Sequence, residues 1–381
     1  MQVQEPEKRN LLNDIKNSGR PLFIPEGLHA GREIFSKIAG ELGLTVCEYP
    51  LSVVKNLKDP SLSDEIRNYF NDKPALFLSP TNLKINGKLI DLAKNKVYAF
   101  ASVSTGTDHV NLTELEEAGI HFIHAPGANS RSVVEYVLSA LPLLYDDKKL
   151  LKGELSFGII GYGRIGSLLG KYLDLLGFSH KFYDPFVEGK NKRDLEDVLH
   201  SDVVTFHVPL TKEGKHATYR MVNETYLSKI PAHSLLMNTA RGPIFTEESY
   251  QYAIRNYRTV MDVFPVEPPS ARMLEGADFV SPHIAGYNYS ARAGGTALVA
   301  KNFMGLLGYP DYQAEYHPGE YHFYTLDFLA KESADLKKNP ESFRNRRENY
   351  PDRGDFFDFR NQFSGSLTGF PEKILKTLTE I

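Results

Sequence analysis

Short apolar runs separated by longer amphipathic stretches set the rhythm of this chain. Runs at 21–24, 45–49, 75–79, 97–103 and 120–124 read as strands, with a helical repeat over 28–42. A second series begins at Leu155, with strands expected at 155–160, 179–183, 202–206, 234–238, 258–262 and about 278–281. A parallel strand covered on both faces is apolar throughout, and strands alternating with helical patterns indicate βα units. The pattern predicts an α/β fold of two doubly wound parallel-sheet domains. Residues 129–147 read as a capped, apolar helix running between them. Residues 290–308 read as an Ala- and Gly-rich helix that packs back on the first.

The rhythm breaks at about residue 310. Tyr312, Tyr316, His317, Tyr321, His322, Phe323 and Tyr324 form an aromatic stretch. A charged stretch follows, in which Arg344, Arg346, Arg347 and Arg353 alternate with Glu341, Glu348, Asp352 and Asp355. Mixed signs at this spacing suit a solvated or subunit-facing surface better than a nucleic-acid site. Residues 1–20 read as a polar extension.

Composition narrows the class. The 381 residues exceed one ordinary core, and 41% apolar with 24% charged residues is an ordinary soluble balance. A net charge of −4 calls for neither nucleic acid nor an anionic membrane. No apolar run approaches the ~20 residues that span a bilayer. Cys47 has no intrachain partner and the first residues hold no apolar signal core, so a cytoplasmic location is expected. The 12 histidines are scattered, without an H-E-x-x-H or paired-cysteine motif, and no metal is expected.

Gly161, Gly163 and Gly166 follow the apolar run that ends at Ile160, and an amphipathic helix opens at Arg164 and Ile165. In that setting the glycines allow a tight turn, close approach of a pyrophosphate and close helix–strand packing, which makes the second domain Rossmann-like. Asp184 stands 23 residues after Gly161, at the end of the next strand. A carboxylate there binds ribose hydroxyls and repels a 2′-phosphate, so NAD is expected over NADP. Asp184 also reads as a turn residue ahead of Pro185. His207, with Val208 and Pro209, follows another strand end, and reads equally as a cofactor-edge residue or a loop histidine bonded to backbone.

Three further segments carry the chemistry: 238–243 with Arg241, 262–268 with Glu267, and 281–287 with His283. A guanidinium clamps a carboxylate with two parallel hydrogen bonds. A histidine coupled to a carboxylate exchanges a proton near neutral pH. Beside a nicotinamide, these groups would oxidise a hydroxyl next to a carboxylate.

With these motifs, residues 20–308 resemble the NAD-dependent, D-isomer-specific 2-hydroxyacid dehydrogenase family. The resemblance implies that Arg241 holds the substrate carboxylate, His283 is the acid/base and Glu267 holds that imidazole. It further implies cofactor contacts from Asp184, Val208, Thr239, Ala240, Asp262 and Gly286. The segments 105–110, 125–129, 133–140 and 283–287 are similar to a branch of the family that adds a C-terminal dimerisation domain. That similarity assigns Ser79, Ser104 and Tyr287 to the substrate. It implies a substrate-binding domain at 1–126 completed by 290–308, an NAD-binding domain at 127–289, a small α+β dimerisation domain at 309–381, and a homodimer acting on a small 2-hydroxyacid. The branch carries an Arg before the serine that Ser79 matches, where this chain has Leu78. A cation for the substrate's far end is then expected from the partner subunit's Arg344, Arg346 or Arg347. Members of the family also serve as NAD-sensing dimeric binding modules, and turnover of a 2-oxoacid separates that class from an enzyme.

Overall fold

The computed structural model describes residues 15–16, 18–55, 64–80, 83–316 and 326–350. Two compact units emerge, one from 1–128 with 289–319 and one from 129–288 with 320–381.

The first unit is built on β1 (Pro21–Pro25), β2 (Thr45–Tyr49), β3 (Leu76–Ser79), β4 (Ala99–Ser102) and β5 (His121–Ile123). All pairings are parallel, in the order β2-β1-β3-β4-β5. Every residue of β1, β3 and β4 is buried, which is why these strands read as unbroken apolar runs. Phe70, Phe77 and Phe100 pack edge to face on one side at 5.3–5.8 Å. The helix Tyr289–Leu306 covers the other side through Val299, Phe303 and Met304. Burying one such side chain contributes ~1.5–3 kcal/mol.

The second unit carries β6 (Ser156–Ile160), β7 (Ser179–Tyr183), β8 (Val203–Phe206), β9 (Leu235–Asn238), β10 (Arg258–Met261) and β11 (Phe279–Val280). They form one parallel sheet in the order β11-β10-β9-β8-β6-β7. Strand order reverses where β7 and β8 flank β6. In open α/β sheets the crevice beyond such a reversal is where ligands bind.

One expectation changes. The helix expected over 129–147 stops at Ala140, giving way to a 3-10 turn at Leu141–Leu143 and a short helix at Asp147–Leu151. Pro142 has no amide proton to continue the ladder and its ring crowds the preceding turn. The helix Ser130–Ala140 lies wholly in the second unit. After 309 the described residues divide between the two units. Tyr309, Tyr312 and Tyr316 pack on the first unit's core. The helix Leu326–Lys338 and the helix Phe343–Glu348 join the second unit, burying Leu329, Leu336, Phe343 and Tyr350 in its cores. The remaining aromatics, His317 to Tyr324, and the chain beyond Tyr350, Arg353 included, lie outside the described residues, as does most of the 1–20 extension.

Candidate active site

The nucleotide turn is shaped by what its glycines exclude. Gly161 has φ +90°, and a Cβ there would sit 2.9 Å from the His207 carbonyl. A Cβ on Gly166 would lie 2.1 Å from the Gly161 oxygen, so this glycine lets the helix Arg164–Leu176 seat against the end of β6. A Cβ on Gly163, at the helix N-cap, would meet nothing within 4 Å. Two glycines are required by packing and the third faces open space beside helix amides, as a pyrophosphate cradle needs. Asp184 braces the turn, its carboxylate accepting from the amides of Tyr162 (2.8 Å) and Phe186 (2.9 Å). Arg164 is exposed, while Ile165 is half-buried against the core.

His207 is 9% exposed, with Nε2 3.0 Å from Thr205 Oγ1 and Nδ1 3.5 Å from Thr239 Oγ1. Burial pushes its pKa down to about 3, so the ring is neutral. Its bonds run to side-chain hydroxyls, a third arrangement beside the two read from sequence. Val208 is half-buried and Pro209 exposed.

The turn after β9 is clamped by Asn238, which accepts from the Ala240 amide at 3.1 Å and donates to the Arg241 carbonyl at 3.2 Å. Thr239 and Ala240 are buried beneath it. Arg241 Nη1 donates to the Ala240 carbonyl at 2.9 Å. Gly242 has no alternative, since a Cβ would fall 1.7 Å from the Phe264 oxygen. That close approach seats the Arg241 turn against the Glu267 segment.

Asp262 organises the loop that bears His283. Its Oδ1 accepts from Ser281 Oγ (2.6 Å) and the Ile284 amide (2.7 Å), and its Oδ2 from the Ala285 amide (3.0 Å). Tyr136 reaches Ser281 at 2.5 Å, and Ser132 donates to the Ala285 carbonyl at 2.9 Å. Burial raises the Asp262 pKa, opposed by His283 and these hydrogen bonds. His283 itself sits at φ +59°, a left-handed conformation uncommon outside glycine that this loop must hold in place. Its Nδ1 meets Glu267 Oε2 at 3.0 Å. Burial alone would push the Glu267 carboxyl up. The hydrogen bond and charge of His283, the charge of Arg347 and the Phe264 amide outweigh it and hold the carboxyl below its usual range. Glu267 is thus ionised beside an imidazole that it orients through one nitrogen, leaving the other for a substrate proton.

Gly286 and Tyr287 complete the same loop, with a Cβ on Gly286 clashing at 2.6 Å with the Asn129 amide group. In the first unit, Ser79 is 1% exposed and donates to the Ala101 carbonyl at 2.9 Å, and Ser104 donates to the Gly106 carbonyl at 2.8 Å. Of the three arginines expected as a far-end cation, Arg346 pairs with Glu332 at 2.6 Å and lies 3.9 Å from Asp335. Arg347 lies 3.5 Å from Glu267, and Arg344 is exposed. Sequence reasoning missed the Ser281–Tyr136–Ser132 bracing and Arg347's place at Glu267. Serine two residues ahead of the histidine was a local signal for the first. Among the described residues no cluster of three His, Cys, Asp or Glu side chains could hold a metal, and no helix is long and apolar enough to cross a membrane.

Residues 147–285 match the family described as D-isomer specific 2-hydroxyacid dehydrogenase, NAD binding domain. The erythronate-4-phosphate dehydrogenase of Idiomarina loihiensis is 30% identical over 329 residues, covering 77% of this chain and 86% of that protein. The erythronate-4-phosphate dehydrogenase of Acinetobacter baylyi is 36% identical over 232 residues, covering 59% of this chain and 65% of that protein. The fold is similar to that of Aquifex aeolicus D-lactate dehydrogenase complexed with NAD and lactic acid. That likeness has a TM-score of 0.61 and 22% identity, covering 79% of this chain and 100% of the other.

Proposed function

The chain belongs to the D-isomer-specific 2-hydroxyacid dehydrogenase family, and from that premise we propose that it oxidises the C2 hydroxyl of 4-phospho-D-erythronate to 3-hydroxy-2-oxo-4-phosphooxybutanoate, a step of pyridoxine 5′-phosphate biosynthesis. NAD is its cofactor. The observation that carries the reading is the Glu267–His283 pair at 3.0 Å, on loops that follow β10 and β11, with the Arg241 turn packed against the same segment.

Each residue has a chemical task. Arg241 offers a planar fork for the substrate carboxylate, which fixes C2 relative to the imidazole. His283 takes the C2 hydroxyl proton through the nitrogen that Glu267 leaves open, and the carboxylate stabilises the resulting imidazolium. Bound NAD supplies the hydride acceptor. Gly161, Gly163, Arg164, Ile165 and Gly166 would cradle its pyrophosphate. Asp184 would face the adenosine ribose, and Thr239, Ala240 and the His207–Pro209 edge would line the rest. Asp262 acts through the loop it fastens, because both its oxygens are engaged there. Gly286 and Tyr287 lie on that loop, and Tyr287, Ser79 and Ser104 are assigned to the substrate by the family resemblance.

We further propose a cytoplasmic homodimer. The support is the similarity of segments 105–110, 125–129, 133–140 and 283–287 to the branch of the family that adds a C-terminal dimerisation domain. Sedimentation of the full chain tests it, and a monomer at micromolar concentration would refute it.

The decisive experiment on function is a panel of 2-hydroxyacids with and without a 4-phosphate, each with NAD and NADP. The phosphorylated D-isomer with NAD should give the highest kcat/KM. Equal values with and without the phosphate would defeat the substrate assignment and leave the dehydrogenase standing. No turnover of any 2-hydroxyacid or 2-oxoacid would favour a binding module instead.

A further inference from the structure

We propose that Arg347 is a positioning residue of the acid/base pair: reaching in from the helix Phe343–Glu348, it holds Glu267 and Tyr287 in place and sets how tightly His283 keeps its proton. The inference rests on the acid/base reading of His283 above. Arg347 Nη1 lies 3.5 Å from Glu267 Oε2, the same oxygen that His283 Nδ1 meets at 3.0 Å. The guanidinium also faces the Tyr287 side chain. One carboxylate oxygen is therefore shared between the histidine and a permanent cation.

The helix is held firmly enough for this to matter. Phe343 is 2% exposed and meets Phe264 edge-on at 5.8 Å. Residues four apart on a helix share a face. Phe343 and Arg347 thus grip the two ends of one short segment, Phe264 and Glu267. One turn of helix fixes both. Behind that face, Arg346 pairs with Glu332, and Ser333 accepts from the Val280 amide of β11 at 2.9 Å. The pair is also shielded, with 30% of the Arg347 side chain and 23% of Glu267 exposed, so their charges interact more strongly than a surface pair would.

The electrostatic consequence has a definite sign. Glu267 faces His283 and Arg347, His283 faces Glu267 and Asp262, and Arg347 faces Tyr287, Glu267 and Asp262. With Arg347 present, the positive potential of the guanidinium offsets part of the carboxylate's negative potential at the imidazole. Without it, the whole field falls on the imidazolium, and the pair binds its proton more tightly. Oxidation needs a neutral imidazole, so Arg347 extends the range in which the base is free toward lower pH.

The test compares full-length wild type with Arg347→Gln and Arg347→Lys. The His283 ring is titrated by NMR in histidine-labelled protein, and kcat/KM is followed against pH with any 2-hydroxyacid that turns over. Arg347→Gln should raise the titration midpoint by about half to one pH unit. Arg347→Lys, which keeps the charge, should stay close to wild type, and NADH affinity should hold in both. Should Arg347→Gln fail to fold, Arg347→Met keeps the packing of the stem and carries the same expectation. An unmoved midpoint in the neutral variant overturns the proposal, as does an equal shift in Arg347→Lys. The NMR titration needs no substrate, so a failed substrate assignment leaves this test intact.

Discussion

The two sheets run out into different chemistry. In the first unit, the strand ends carry hydroxyls: Ser79 closes β3 and Ser104 follows β4, and each donates to a nearby carbonyl. In the second, they carry groups that are charged or titrate: Asp184 after β7, His207 after β8, Arg241 after β9, Asp262 after β10 and His283 after β11. The backbone plan is the same, a wholly parallel sheet built from βα units. A serine hydroxyl already donating to backbone can steer a ligand. It neither neutralises a carboxylate nor takes a proton near pH 7. On the function proposed above, the acid/base chemistry belongs to the groups of the second unit.

Exchanging side chains on either side should break this contrast unequally. His283→Ala should have the largest effect, a loss of ~10²–10⁴ in kcat, because one acid/base group is removed. NADH affinity should stay near wild type by fluorescence titration, and a near-normal kcat would remove His283 from the chemistry. An intermediate effect concerns stability. Folded His207 stays neutral down to about pH 3, whereas an unfolded histidine titrates near 6.5. The unfolded chain therefore takes up this proton first as pH falls. The contribution is intact above about 6.5 and is lost progressively toward 3, at up to ~1.4 kcal/mol per pH unit. Urea melts at pH 7 and pH 5 should show His207→Asn losing about 2 kcal/mol less than wild type over that interval. Equal losses would mean that the ring is charged in the fold. The smallest effect belongs to the first unit. Ser104→Ala should raise KM by less than about tenfold with kcat little changed, the scale of one neutral hydrogen bond. A collapse of kcat in this variant would erase the distinction between the units.

Much of this architecture is legible in the sequence, for physical reasons. Strands buried on both faces cannot hide, so β1, β3, β4 and β6 stood out as apolar runs. The turn at Gly161 is readable because its three glycines fall within six residues after an apolar run, although one close approach that requires them is to the distant His207 carbonyl. Arg241, Glu267 and His283 were readable because each follows a strand end in a short motif. Arg347 was not. It lies 80 residues beyond Glu267 in a charged stretch, and nothing local distinguishes it from Arg344 or Arg346. Its role comes from Phe343, whose burial against Phe264 turns one helical face inward. The helix expected to reach 147 was overrun by Pro142, because apolar periodicity continued past a residue that cannot donate to the ladder.

The central contact is that of Glu267 with the His283 imidazole, and the titration midpoint of that ring in Glu267→Gln tests it most directly. Replacing the carboxylate by an amide removes the charge that favours imidazolium while keeping the side chain's size. The midpoint should fall by about one pH unit or more, opposite in sign to the Arg347→Gln shift, and the pH profile of kcat/KM should move with it. A midpoint unchanged from wild type would mean that the 3.0 Å contact does no electrostatic work, and would contradict the account.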